Sequence, residues 1–174
     1  MAGTFDKFYD ALQASDTGDN QEDLVERLDI VRHKLKFIQD KPLVICIEAL
    51  EPLTIAGEWL PEAVAIAGGI AVPDSQLLSN DGGQISSADP EIIVIALRGS
   101  SIEDTLREIS LLLQQPGFAN LKAVKNNRLY IADGRRFYDN GPGMVDTVEM
   151  LAEMINPKQF IFGYEGGGWI KFSL

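Results

Sequence analysis

LVICIEALEPLTIAGEWLPEAVAIAGG, residues Leu43 to Gly69, is the stretch on which the fold turns. It opens with five apolar residues, Leu43 to Ile47, rich in β-branched types. A run this short and continuous, preceded by Pro42, reads as a strand buried on both faces. Glu48-Ala49-Leu50-Glu51-Pro52 then forms a polar break at the carboxyl end of that strand. From Trp59 to Ala67 the apolar residues take helical spacing, and Gly68-Gly69 is a usual helix stop. Strand, loop and helix make half of a βαβ unit, and in sheets so built ligands meet the loops at the carboxyl ends of the strands. The functional reading therefore starts at Glu48, Glu51, Pro52 and Trp59.

The 174 residues suit one domain, and 45 % hydrophobic content is enough for a real core. A net charge of −11 argues against nucleic acid or an anionic membrane surface as partner, because both need basic patches. It suits solubility or a basic protein surface. The single cysteine, Cys46, lies within the apolar strand, so no disulfide can form within the chain and the residue reads as a small hydrophobe. No segment approaches the ~20 apolar residues of a membrane span. MAGTFDKFYD lacks the basic end and apolar core of a signal peptide, so the chain as written is expected in the cytoplasm. As a fragment of a longer secreted chain it would instead be periplasmic or membrane-anchored.

Outward from the opening stretch, Phe5, Phe8, Tyr9 and Leu12 have helical spacing within residues 4–14. Asp19 or Asn20 can cap a second helix from about Gln21 to Ile38, with Leu24, Leu28, Val31, Leu35 and Ile38 on one face. Two amphipathic helices ahead of any strand need something to cover. They either pack on the sheet that follows or connect to a preceding domain. Downstream, Ala71-Val72 suits a short strand, and residues 73–87 form a long turn-rich loop of the kind that often carries function. Ile92 to Leu97 is the second buried strand, ending at Arg98-Gly99-Ser100. Ser100 or Ser101 caps a helix from Ile102 to about Gln114 with Glu103 and Asp104 in its first turn. Phe118 to Val124 is a helical turn and Arg128 to Ala132 a third strand. A third loop, Asp133 to Gly143, leads into a helix with Pro142 in its first turn and Asn156-Pro157 at its stop. Trp169 to Phe172 suits an edge strand. The expected fold class is α/β: a three-layer sandwich with a mostly parallel sheet flanked by helices, preceded by one or two long helices. Residues 1–40 form a helical connector and residues 41–174 the α/β lobe.

Chemistry is poorly provided for. One His, His33, and one Cys, far apart, make no metal site. Glu58 and Glu62 lie one helical turn apart, as solvated residues do. Gly166-Gly167-Gly168 precedes no helix and no Lys-Ser/Thr, so it cradles no phosphate. There is no G-x-S-x-G elbow, and no catalytic residue, cofactor or metal is assigned. What remains is three sheet-edge loops carrying aromatic and polar groups, a mixture that suits binding.

Three runs together are specific: the opening stretch, SSADPEIIVIALRG, and LKAVKNNRLYIADG followed by YDNGPG and a helix. In order and spacing they resemble the cobalamin and iron–siderophore type of ABC-transporter substrate-binding protein, more narrowly its cobalamin-binding-protein-like branch. The likeness runs from about Phe5 to Phe172. It implies the carboxyl-terminal lobe of a two-lobed, class III substrate-binding protein plus its connecting helices, without the amino-terminal lobe. It also implies that Glu51, Pro52 and Trp59 line the cleft from the first loop, Arg98 and Gly99 from the second, and Tyr138 and Asn140 from the third. Glu103 matches the acidic residue that docks such a lobe on an ABC permease.

The expected activity is capture of a corrinoid or ferric siderophore without catalysis. Trp59 and Tyr138 would offer apolar faces and Arg98 would pair with ligand carboxylate or amide groups. The alternative is an interaction module in which a second copy covers the exposed cleft face, giving a homodimer with no transport role.

Overall fold

The structure, a computed structural model, describes residues 6–14, 21–51, 53–72 and 88–173. Pro52, the expected cap at Asp19 or Asn20 and the long loop 73–87 lie outside the described residues. The elements in chain order are α1 (Asp6–Ala14), α2 (Gln21–Leu35), β1 (Leu43–Leu50), β2 (Leu53–Ile55), α3 (Leu60–Ile66), β3 (Ile70–Ala71) and β4 (Ile92–Ile95). There follow α4 (Ile102–Glu108), α5 (Ser110–Leu113), a 3₁₀ turn (Phe118–Asn120), α6 (Lys122–Lys125), β5 (Leu129–Ala132), α7 (Pro142–Ile155) and β6 (Trp169–Phe172).

The sheet runs β2-β1-β4-β5-β6, with β3 beside the start of β1. Its centre, β1-β4-β5, is parallel, while β2 and β6 close the two sides as antiparallel strands. β4 and β5 are buried throughout, and β1 is apolar from Leu43 to Ile47, because helices cover both faces. Alternation of side chains then divides the core in two. Val44, Cys46, Ile92, Val94, Tyr130 and Ala132 face α3 and α7. Ile45, Ile47, Ile93, Ile95, Leu129 and Ile131 face α4, α5, the 3₁₀ turn and α6. The expected α/β sandwich with a mostly parallel sheet is what the chain forms.

The leading helices join the first of these cores. Phe8 and Leu12 of α1 and Leu24, Leu28 and Val31 of α2 are buried with α3 and α7. The Arg27 guanidinium of α2 donates to Glu149 and, at 2.6 Å, to Asp146, both on α7, and Tyr164 donates to the same two carboxylates. Carboxylates and burial act on Arg27 in opposite directions, and the carboxylates win: its pKa is raised. Glu153, farther along α7, accepts the N–H groups of Phe162, Gly163 and Tyr164 and the indole N–H of Trp169. That buried carboxylate thus holds the loop before β6 against α7, with its lone pairs spent on donors as burial requires.

Three boundaries differ from expectation. β1 runs on through Glu48 to Leu50, because the chain turns back at once as β2. The register shifts between Ile47 and Ala49, a bulge centred on Glu48. The helix expected over 102–114 is two pieces: Leu112 and Leu113 N–H both reach the Ile109 carbonyl, a tightening that ends one helix and starts the next. The second helix stops at Leu35, three residues short of Ile38.

Candidate ligand site

The carboxyl ends of β1, β4 and β5 meet at one rim. Arg98 follows β4 and its N–H donates to the Glu48 carbonyl at 3.0 Å. The Arg98 guanidinium donates to Glu48 Oε2 at 3.0 and 3.3 Å, and it lies 4.3 Å above the centre of the Tyr138 ring. The Tyr138 hydroxyl in turn donates to the Ala96 carbonyl. Burial pushes that hydroxyl's pKa well above its usual range, so it stays a neutral donor. Each contact is modest: an exposed ion pair is worth about 0–1 kcal/mol, a guanidinium on an aromatic face about 0.5–1. Together they tie three strand ends through a single cation.

The backbone ties two of those loops a second time. Gly99 N–H donates to the Gly134 carbonyl at 3.1 Å, and Gly134 N–H to the Ser100 carbonyl at 2.9 Å. A Cβ on Gly134 would stand 1.8 Å from the Leu97 carbonyl oxygen, so only glycine permits this approach. Gly99 sits at φ +81 with nothing near it, and here glycine serves the turn alone. Beside them Asp133 accepts the Arg135 N–H at 3.0 Å and its guanidinium at 2.8 and 3.0 Å. This holds the Asp133 carboxyl below its usual pKa.

An open depression of ≈ 350 Å³ lies against this rim, with Glu48, Glu51, Arg98, Glu108 and Leu111 among its walls. Of the residues expected to line a cleft, Glu51 and Arg98 border the depression, Gly99 shapes the adjoining turn, and Tyr138 supports Arg98 from below. Asn140 is exposed in the loop between β5 and α7.

Trp59 does not reach the rim. It is 3 % exposed and meets Phe8 edge-on at 5.8 Å. The cause is β2. That strand runs back along β1, pairing Ile55 with Ile47, and the Ala56 N–H reaches the Cys46 carbonyl. Trp59 is thereby carried away from the strand end into the packing of α1 on α3. Glu48, expected as part of the polar break, is instead the partner that occupies Arg98.

Comparison with known proteins now bears on the fold. No family model matches the chain, and no curated protein does. Solved structures do. An ABC-transporter substrate-binding protein from Listeria monocytogenes is 23 % identical with a TM-score of 0.67, over 79 % of this chain and 55 % of that one. The fold is that of ABC-transporter substrate-binding proteins. A periplasmic heme-binding protein from Pseudomonas aeruginosa is 25 % identical with a TM-score of 0.58, over 81 % of this chain and 52 % of that one. Staphylococcus aureus IsdE, solved with heme, is 19 % identical with a TM-score of 0.66, over 85 % and 63 %. The chain therefore spans little more than half the length of these substrate-binding structures.

The rim thus brings together a guanidinium held by a carboxylate, an aromatic face and an open depression. Burial pushes the Cys46 thiol up to about 12, which leaves it protonated beneath the sheet's helical cover. Among the described residues no three His, Cys, Asp or Glu side chains gather as metal ligands, and no helix is long and apolar enough to cross a membrane. Glu103 is exposed in the first turn of α4, whose N-cap, Ser101 Oγ, accepts the Asp104 N–H at 3.1 Å.

Proposed function

We propose that residues 41–174 form one ligand-binding lobe of the substrate-binding type, with residues 1–40 as its helical connector. The lobe captures a large planar or chelate ligand, a corrinoid, a haem or a ferric siderophore, for an ABC permease that docks at Glu103. The observation that carries this reading is the convergence of Glu48, Arg98 and Tyr138 from three strand ends beside an open depression. Sheets of this class bind ligands at that edge. Two of the similar structures are named for heme, which adds a flat macrocycle to the ligands expected from the sequence.

Arg98 is the cation that would meet a ligand carboxylate, and Glu48 already holds it. Binding an acidic ligand therefore means exchanging one carboxylate for another on the same guanidinium. Titration with cobalamin, haemin and a ferric siderophore, each followed by its own visible absorbance, tests the proposal. One of them should bind, and Arg98→Ala should weaken it by about ten-fold. Silence from all three at high micromolar concentration would sink the reading. Tryptophan emission is a poor reporter, because both tryptophans, Trp59 and Trp169, are enclosed.

Self-pairing is the second reading. The open depression beside the rim favours it, since a second copy could cover that face. A concentration-dependent dimer in sedimentation velocity, lost in Arg98→Glu, would favour that reading over capture.

A further inference from the structure

A second groove lies at the other end of β1, where α2 hands over to the strand. Its floor is apolar: Leu35 and Ile38 from the end of α2 and the linker, Ala65 and Ile66 from α3. Its edge carries Arg32, Lys36 and Lys41 against Asp40 alone. In a chain of net charge −11 this is a local reversal of sign. Lys36 and Lys41 have no ion-pair partner among the described residues, while Arg32 reaches Asp29 at 4.0 Å and lies 5.8 Å from the centre of the Tyr9 ring. Phe37, between them in sequence, is 80 % exposed.

The groove's volume, ≈ 240 Å³, falls below the ~300–1,000 Å³ of small-molecule pockets. It has room for one or two side chains rather than a whole ligand. Its back wall is kept low by Gly68, where a Cβ would stand 2.7 Å from Leu35 Cδ2. Immediately behind Gly68 is Asn156, whose Nδ2 is buried without an acceptor among the described residues.

We propose that this groove is a docking site for an acidic segment of a partner protein. An aromatic or aliphatic side chain of the segment sits on the Leu35–Ile66 floor, and carboxylates flanking it meet Arg32, Lys36 and Lys41. An apolar anchor in a pocket ringed by charges is the arrangement in which a few contacts supply most of the affinity, while the rim charges set the rate and the salt dependence. The groove is at the amino-terminal end of β1 and the Glu48–Arg98 rim at its carboxyl end, so an occupant here leaves the candidate ligand site open. The proposal stands whether or not the rim binds a ligand. A bilayer is the weaker candidate, because beyond these few cations the chain is strongly acidic and an anionic surface repels it.

The test uses the full chain and a fluorescein-labelled peptide, Asp-Glu-Phe-Glu-Asp, followed by anisotropy. Asp-Glu-Ser-Glu-Asp and Lys-Arg-Phe-Arg-Lys serve as controls. The first peptide should bind, the serine peptide about five-fold more weakly or worse, and the basic peptide not at all. The double variant Lys36→Glu/Lys41→Glu, both exposed positions whose change leaves the core intact, should weaken binding about ten-fold, as should high salt. Amide shifts in an NMR titration should centre on Ala65, Ile66 and Gly68. No binding by ~1 mM, equal binding of the basic peptide, or an unaffected double variant overturns the proposal. So does phosphatidylserine-vesicle binding without peptide binding, or a dimer in sedimentation that the double variant abolishes, which would make the occupant a second copy.

Discussion

Gly134 and Gly99 look alike in sequence, each in a turn after a buried strand, yet they do different work. Gly134→Ala drives a methyl group into the Leu97 carbonyl, and nothing there is a flexible side chain that can yield. The expected cost is at least ~2 kcal/mol, read from urea unfolding. Gly99→Ala meets empty space and bears only the left-handed backbone cost of about 1–2 kcal/mol. If the two variants prove equally stable, the close approach of the two loops is wrong. Asp133 gives a pH signature. Its folded pKa is depressed by Arg135, so its contribution is present above the unfolded value of about 3.9 and is lost as pH falls through the folded one. Asp133→Asn should therefore lower stability at pH 7, and the gap to the parent protein should shrink in unfolding curves recorded near pH 3.

Helix α2 carries a clear liability at the scale of elements. Arg27 is the cation that faces Asp146 and Glu149 of α7, and Glu149 is only 7 % exposed. Removing one partner of a buried pair costs about 3–5 kcal/mol. Arg27 and Asp146 keep some solvent, so Arg27→Ala should cost about 2 kcal/mol, with loss of amide protection in α2 ahead of the sheet. Uniform protection across the molecule would show that the apolar contacts of Leu24, Leu28 and Val31 suffice. The elements themselves were largely legible. β1, β4 and β5 are short continuous apolar runs, and such runs leave little choice but a strand covered on both faces. α7 announced its start through Pro142 and its stop at Asn156-Pro157. β2 was not legible. Leu53-Thr54-Ile55 is three residues long, and it is a strand only because β1 continues past the charged Glu48 to pair with it. The misplacement of Trp59 followed from that single omission, since a loop that goes straight from strand to helix would have left Trp59 near the rim. Phe8 completes its enclosure from a helix 51 positions earlier, a contact that no local pattern carries. The role of Glu48 was hidden for a related reason: its partner, Arg98, stands beside it only through the pairing of β1 with β4.

For the molecule as a whole, the decisive fact is how open the rim is. Among the described residues it is bordered by a single layer of loops, and the similar structures extend well beyond the part matched here. Affinity follows how fully a ligand is enclosed. Any corrinoid, haem or siderophore bound by this chain alone should therefore show a Kd no tighter than roughly micromolar in calorimetry. A nanomolar value would mean that the rim encloses more than its geometry suggests, or that two copies close over one ligand.

The reciprocal amide bonds between Gly99, Gly134 and Ser100, with the Leu97 carbonyl pressed on Gly134, have a last implication for how such a lobe could be re-tooled. Lengthening either turn by even one residue would prise open its neighbour, so neither is free to diversify by itself. The hairpin bend after Leu50 shares none of those bonds. Randomised libraries that seek new cargo preferences should place their insertions there and leave the other two turns untouched.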